Sequence, residues 1–220
     1  TAGGSGAFTS SNRVQQLGRL TVSQLGGVSL NNDIWGWTDS ATGREYALVG
    51  LHNGTSFVDV TNPSSPTLIG RLPPQASNSA WRDIKVYQDY AYIVSEAGGH
   101  GLQIFDLTEL RTTTPGTVFS TTPGNPDAPG NSYLFHHTSF GNAHNIAINE
   151  STGFAYIVGS SRESGGLHVL DLNVNGSTSS PIKPAVSGVG FSADGYTHDV
   201  QVVTYQGADT SYVGREIAFA

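Results

Sequence analysis

The sequence predicts an all-β protein built from repeated four-stranded antiparallel units. Gly accounts for 28 of the 220 residues, and only 12% of the residues are charged. Aromatic and β-branched residues are common, which is typical of β structure rather than of helices rich in Leu, Glu, Lys and Ala. Short strand-like runs separated by turns rich in Gly, Pro and Asn follow one another along most of the chain.

A three-residue phrase opens four of these runs and sets the period of the repeat. It consists of a polar residue, then Asp or Asn, then Ile or Val, and it recurs at intervals of roughly 50 to 60 residues. The four copies are Asn32-Asp33-Ile34, Arg82-Asp83-Ile84, His144-Asn145-Ile146 and His198-Asp199-Val200. Four antiparallel strands per unit of about 40 to 60 residues predict the blades of a β-propeller.

Blade 1 is predicted to span residues 31–75. Its strands are expected at residues 33–37, 45–50, 56–60 and 67–72. Asn53-Gly54 is a strong hairpin signal between the second and third strands. Pro63 and Pro66 keep the following loop out of any hydrogen-bonded ladder, because Pro has no backbone N–H.

The later blades repeat this plan. Blade 2 spans residues 76–122, blade 3 spans residues 123–192 with an inserted loop, and blade 4, residues 193–220, is partial. The fourth strand of blade 2 is expected at residues 117–120, that of blade 3 within 185–191, and residues 216–220 are expected to be the third strand of blade 4. Three and a half blades predict part of a larger ring of six to eight blades. Two copies sharing one ring are the alternative.

The N-terminal residues are predicted to close this ring. Residues 1–12 are small and polar and are expected to be flexible. Residues 13–30 form a lead-in, in which Leu17-Gly18-Arg19-Leu20 is similar to the outermost strand of blade 1. We therefore expect residues 14–22 to be a strand that completes the last blade.

The charge and the rare residues exclude several classes of protein. A formal net charge of -7 with only ten Lys and Arg argues against a partner that is a nucleic acid or an anionic membrane. The absence of Cys excludes disulfides and Cys-ligated metals, and no apolar run approaches the roughly 20 residues that a transmembrane helix needs. The absence of Met, also at position 1, predicts removal of a secretory signal and a secreted or cell-surface protein. Sequons predict glycosylation at Asn53, Asn149 and Asn175.

Longer segments around the phrase resemble the choice-of-anchor B family. The similar segments are residues 32–38, 43–47, 81–87, 143–149 and 191–199. The resemblance covers about residues 13–220. It implies an extracellular β-propeller with LVIVD-type repeats and export from the cell, with a separate C-terminal anchor in many bacterial members. It implies no particular biochemical activity.

The second residue of the phrase is a candidate metal ligand. In a propeller the first strand of each blade lines the central channel, so Asp33, Asp83, Asn145 and Asp199 are expected around one ring at one height. Oxygen donors that converge on an axis suit Ca²⁺ or another divalent cation. The alternative is structural, because these side chains can also hydrogen-bond to the backbone of the neighbouring blade.

Other polar residues are predicted to bind a ligand near the same mouth of the channel. His144 and His198 are candidates to bind a metal or to act as catalytic bases. Arg82 either contacts the ligand or pairs with a neighbouring Asp, and Glu96 and His100 lie on a hairpin at this mouth.

The insertion at residues 115–142 is expected to reach the mouth as well. It carries His136 and the candidate ligand-binding residue His137, and a long loop at this place can form a lid. His52 and His168 are expected at a hairpin and at a strand surface. The Asp that ends each third strand, at positions 59, 106 and 171, is expected to accept hydrogen bonds from the backbone of the following turn.

Three functions remain open from the sequence. The first is a secreted or cell-surface binding and scaffold module whose mouth holds a divalent cation, a small polar ligand, a glycan or a protein. The second is a metal-dependent extracellular hydrolase or lyase that acts on a sugar, lactone or ester. The third is a structural subunit of an extracellular assembly that associates through unpaired strand edges. Motifs of serine hydrolases, P-loop proteins and zincins are absent from the sequence.

Overall fold

The computed structural model describes residues 14–123, 133–173, 190–191 and 195–220, and the predicted all-β class is confirmed. Within these residues the helices are the short 3₁₀ segments Leu107–Arg111 and Glu163–Gly165, and no described helix is long and apolar enough to cross a membrane. The strands are β1 (Asn31–Thr38), β2 (Glu45–Leu51), β3 (Gly54–Asp59), β4 (Thr67–Leu72), β5 (Arg82–Tyr87), β6 (Tyr90–Ser95), β7 (Leu102–Asp106), β8 (Thr117–Val118), β9 (Leu134–His137), β10 (Asn145–Asn149), β11 (Phe154–Val158), β12 (Leu167–Asp171), β13 (Gly190–Phe191), β14 (Gln201–Thr204) and β15 (Glu216–Phe219).

The described strands form four sheets, whose opening strands follow the order of the chain. The first sheet has the order β1-β2-β3-β4-β8, the second β5-β6-β7-β9, the third β10-β11-β12-β13 and the fourth β14-β15. All pairings are antiparallel except that of β4 with β8. The edge strand that opens each sheet contacts the opening strand of the next, so β1, β5, β10 and β14 are neighbours in that order.

Consecutive sheets pack face to face. Alternate residues of the second sheet point to opposite faces, so Ile93 packs against the first sheet while Tyr92 and Val94 pack against the third. Stacked rings of Phe57 and Phe105, with centroids 4.6 Å apart, join the first and second sheets. We call the face toward the preceding sheet the front face, and the opposite face the back face. The front face of the first sheet is the face that points away from the second sheet.

The Asp that ends each third strand caps the turn after it, as predicted. Each carboxylate accepts the backbone N–H two residues further on, at 2.9, 2.9 and 2.8 Å. The pairs are Asp59 with Thr61, Asp106 with Thr108 and Asp171 with Asn173.

The predicted fourth strand of blade 2 is wrong. Residues of β8 pair in parallel with β4 of the first sheet, and β9 supplies the fourth strand of the second sheet. The reason is the 3₁₀ segment Leu107–Arg111, which turns the chain back. Its Arg111 forms a two-pronged ion pair with the buried Asp39 of the first sheet, with distances of 2.7 and 2.9 Å. The rings of Phe119 and Phe105 are 4.8 Å apart and hold the returning chain in the core.

The predicted closing strand at residues 14–22 is not formed among the described residues. Only Val14 forms a single β-bridge, and residues 22–26 form turns. Leu20 and Leu25 pack on the front face of the first sheet instead. Gly18 lies against Pro63 and Pro66, whose lack of N–H groups offers this segment no regular ladder.

Residues 216–220 were expected to form a third strand, but β15 is the second strand of the fourth sheet. It pairs directly with β14, from Gln201 opposite Phe219 to Thr204 opposite Glu216. Residues 205–215 form the connection. The N–H of Tyr205 donates to the carbonyl of Arg215 and the N–H of Gly214 donates to the carbonyl of Tyr205, and these two bonds close it.

Candidate functional site

Two Asp residues of the repeated phrase join neighbouring sheets. Asp33 accepts the backbone N–H of Ile84 at 2.8 Å, and Asp83 accepts the backbone N–H of Ile146 at 2.8 Å. The Nζ of Lys85 lies 2.8 Å from Asp83 and 3.7 Å from Asp33. The oxygens of these two carboxylates therefore contact backbone N–H groups of the next sheet and the ammonium group of Lys85. These contacts are the ones expected if the Asp of the repeated phrase has a structural role.

The environment of Asp83 changes its acidity. Burial raises the pKa of its carboxyl to about 6, and the hydrogen bond with Asp33 acts in the same direction. The charge of Lys85 and the hydrogen bonds that it and Ile146 donate oppose this rise in pKa.

The other two predicted metal ligands have different surroundings. Asn145 is half-buried and pairs with Val158 across the third sheet. Asp199 is exposed, and its Oδ1 accepts the backbone N–H of Val200 at 2.8 Å. In the described part of the chain, no three His, Asp or Glu side chains are arranged as a metal site.

A second group of polar and aromatic side chains comes together from loops that adjoin the strands of three sheets. His144 donates from Nδ1 to Glu96, with 2.6 Å between Nδ1 and Oε1. The His198 ring lies 4.1 Å from the His144 ring between centroids, and the rings of Trp81 and Tyr196 lie at 5.7 and 6.3 Å from it. We call these five residues the His144 cluster.

The His144 cluster is open to solvent, and close packing supports it from below. The side chains of Trp81 and Tyr196 are 49% and 56% exposed. The residues Gly159 and Gly165 have positive φ and no side chains. An added Cβ at Gly159 would collide with the Cβ of His144 and the hydroxyl of Tyr196, and one at Gly165 would lie only 3.1 Å from Tyr196. Desolvation raises the pKa of Tyr196, and the charge of Glu96 and a hydrogen bond to it add to this rise. The cluster thus combines a carboxylate, two imidazoles and two exposed aromatic faces.

Arg82 and His100 were predicted to bind a ligand, but the structure buries both completely. Arg82 donates from Nε to the carbonyl of Leu51 at 3.2 Å and from Nη1 to Nε2 of His100 at 2.8 Å, so it does not pair with an Asp. His100 in turn donates from Nδ1 to the carbonyl of Gly101 at 3.2 Å. Burial lowers the pKa of Arg82 to about 10 and, together with the charge of Arg82, lowers the pKa of His100 to about 3. His100 is therefore a neutral acceptor for Arg82.

His136 and His137 lie in strand β9 rather than in a lid. His137 hydrogen-bonds through Nε2 to the hydroxyl of Ser139 at 2.6 Å, and His136 donates to the carbonyl of His100 at 2.8 Å. Neither ring joins the His144 cluster. His168, which was expected at a strand surface, is fully buried.

The sequons fall in different environments. The Nδ2 of Asn53, the atom that would carry a glycan, donates to the carbonyl of Gly26 at 3.0 Å, and its Oδ1 is buried. That contact argues against a glycan at this position. Asn149 is half-buried at a turn, where its Oδ1 accepts the N–H of Ser151. Asn175 lies outside the described residues.

Sequence reasoning did not select Trp81 and Tyr196 as site residues. Both precede a copy of the repeated phrase by one or two positions. An aromatic residue at that place, beside polar residues and before a strand, was the signal that could have found them.

Comparison with protein families identifies part of the repeat. The profile of the LVIVD repeat matches residues 43–72 and 80–109. The chain carries two LVIVD repeats. The first repeat covers β2 to β4 with the end of the turn before them, and the second covers β5 to β7 with the beginning of the 3₁₀ segment Leu107–Arg111. Neither the curated proteins nor the solved structures contain a significant match.

Proposed function

We propose that this chain is part of a secreted or cell-surface β-propeller of the choice-of-anchor B type, with six to eight blades, that acts as a binding and scaffold module. The LVIVD repeats and the stacking of successive sheets around neighbouring first strands support this architecture. The Asp residues at positions 33 and 83 hold the sheets together, as their bonds to the next sheet indicate.

The ligand of this module is a hydroxyl-rich molecule of the glycan class, and it binds at the His144 cluster. The observation that carries this proposal is the pair of exposed rings, Trp81 and Tyr196, beside the 2.6 Å pair of Glu96 and His144. Aromatic faces can stack on the C–H surface of a sugar ring, while a carboxylate and imidazoles can bond its hydroxyls. Each of these residues lies within a few positions of a strand of the second, third or fourth sheet, which supports their relative positions.

Binding to a glycan array, followed by calorimetry on the best ligand, tests the proposal. Trp81→Ala and Tyr196→Ala should each weaken the affinity by about tenfold or more, since aromatic residues commonly dominate binding energy. The matched controls are Trp35→Ala and Tyr212→Ala, because these rings are 37% and 46% exposed but lie elsewhere. Equal losses in the control variants, or no glycan binding at all, would contradict the proposal.

A hydrolase or lyase is the second candidate function, and one observation favours it. The bond from His144 to Glu96 is the arrangement that orients an imidazole as a general base. Incubation of the bound glycan, and of simple lactones and esters, with and without divalent cations tests for turnover. Turnover that His144→Asn abolishes would make the site catalytic, whereas binding without turnover would leave the module non-catalytic.

A further inference from the structure

A layer of buried polar side chains lies between the first and second sheets, beside their shared apolar core. Thr55 and Gln103 each lie two positions before one of the stacked rings, on β3 and β7, so both point into the interface between these sheets. Arg82 shares its face of β5 with the core residue Ile84 and points into the same interface. Together with His100, these three polar side chains are fully buried.

The guanidinium group of Arg82 has only neutral partners in this layer. Its Nε donates to the carbonyl of Leu51 and its Nη1 donates to His100, which is a neutral acceptor. Within the described part of the chain, no Asp or Glu carboxylate forms an ion pair with Arg82. Because Arg keeps its proton at any physiological pH, the layer holds an uncompensated positive charge. A buried charge is unfavourable unless a counter-charge lies beside it.

Two hydrogen-bond donors of the layer are unused. Among the described residues, neither Nη2 of Arg82 nor the hydroxyl of Thr55 has a hydrogen-bond partner. Both carry hydrogens that can point to one acceptor between the sheets. Since buried polar groups are almost always paired, a bound group that accepts two hydrogen bonds fits this place.

Gln103 bears on whether that group is an anion or a water molecule. Its Nε2 donates to the carbonyl of Pro73 at 3.1 Å, which orients the amide and leaves Oε1 as an unpaired acceptor. A water molecule would suit Oε1, whereas only an anion compensates the charge of Arg82. Leaving a neutral acceptor unpaired is less unfavourable than leaving a buried charge uncompensated, so the observations favour the anion.

We infer that this layer binds a small monovalent anion of the halide class, such as chloride, between Nη2 of Arg82 and the hydroxyl of Thr55. The anion accepts one hydrogen bond from each of two neighbouring sheets and neutralises the guanidinium group. It therefore stabilises the contact between the first and second sheets. The site shares no residue with the His144 cluster, so the inference does not depend on a glycan ligand.

Thermal unfolding in different sodium salts tests this inference. At a constant ionic strength of about 0.3 M, replacing gluconate, a large organic anion, by chloride or bromide should raise the melting temperature by about 2 °C or more. Thr55→Val keeps the shape of the side chain but removes one donor, and it should reduce this rise. The control is Arg71→Met, which removes the same charge from the front face of the first sheet, where Arg71 donates to the carbonyl of Gly26. This variant should retain the full rise.

A carboxylate built into the layer gives a second test. Gln103 lies beside His100, the partner of Arg82. Gln103→Glu therefore places a negative charge of the protein itself near the guanidinium group, and the melting temperature of this variant should no longer respond to chloride.

Crystals of the wild type grown in bromide locate the anion without any substitution. The anomalous signal of bromide should give a peak between Arg82 and Thr55. Equal melting temperatures of the wild type in chloride and gluconate, a chloride response that Gln103→Glu leaves unchanged, or a water molecule in place of the bromide peak would each overturn the inference.

Discussion

The carboxylate of Asp83 accepts the backbone N–H of Ile146 at 2.8 Å, across 63 positions of the chain. Asp33 makes the same bond to Ile84. In each bond the acceptor is an Asp side chain of one sheet, and the donor is a backbone N–H on the first strand of the next sheet. The repeated acidic residue therefore links successive sheets in a region that the apolar core also buries.

Removal of this link should destabilise the protein. Asp83→Ala leaves the buried N–H of Ile146 without its acceptor and Lys85 without its closest anion, and we expect the free energy of unfolding to fall by about 2–3 kcal/mol. Asp83→Asn keeps an oxygen acceptor and should lose less. Urea unfolding of the three proteins measures the difference, and a loss below about 0.5 kcal/mol in Asp83→Ala would show that the bond contributes little.

The same residue predicts a dependence of stability on pH. The pKa of Asp83 is raised from 3.8 to about 6 in the folded protein, so between these values the folded state binds more protons than the unfolded state. Stability contributed by this group is then present below about pH 4 and is lost as the pH rises to about 6. The charged groups that face it are Asp33 and Lys85.

Comparison with Asp83→Asn isolates this effect, because Asn does not titrate. We expect the free energy of unfolding of the wild type, relative to that of the variant, to decrease between pH 4 and pH 6 and to stay level above pH 7. Asp39 acts in the opposite direction, since Arg111 holds the pKa of its carboxyl well below the ordinary range, but it is common to both proteins. A level difference throughout the range would contradict the raised pKa.

The repeat made much of the fold predictable, but it did not reveal the register of every strand to the single residue. The third strands were aligned correctly, and their Asp residues cap the turns. In the second strands the structure makes Val49, and not the neighbouring Leu48, equivalent to Ile93 and Ile157. A shift of one residue moves a side chain to the other face of a sheet, and similar apolar runs do not reveal it.

The candidate site was only partly predictable for a related reason. Glu96, His144 and His198 were placed near one another because equivalent positions of successive units lie side by side. Arg82 holds the same position as His144 in the phrase, yet it is buried and bound to His100. Position in a repeat therefore predicted proximity, but the side-chain environment depended on which sheets flank the residue.

The predicted Ca²⁺ site at Asp33, Asp83, Asn145 and Asp199 has a direct test. Because the ammonium group of Lys85 lies beside both Asp33 and Asp83, a divalent cation there would have to displace it. We expect the melting temperature to change by less than about 1 °C between EDTA and millimolar Ca²⁺. Lys85→Met removes the competing charge and serves as the comparison. An increase of several degrees in the wild type would indicate a bound cation, since a ligand of the folded state raises stability.

Substitutions at Gly99 and Gly101, which lie in one loop, distinguish the cost of backbone strain from the cost of a steric collision. Gly99 and Gly101 both have positive φ, at 82° and 58°, but an added Cβ at Gly99 meets open space, whereas at Gly101 it collides with the carbonyl of His137 in β9. Gly99→Ala should cost about 1–2 kcal/mol, the penalty for a left-handed conformation. Gly101→Ala should cost about 1–3 kcal/mol more, because β9 or the hairpin must move. Urea unfolding of both variants provides the measurement, and equal losses would show that the contact between this loop and β9 yields without a measurable penalty.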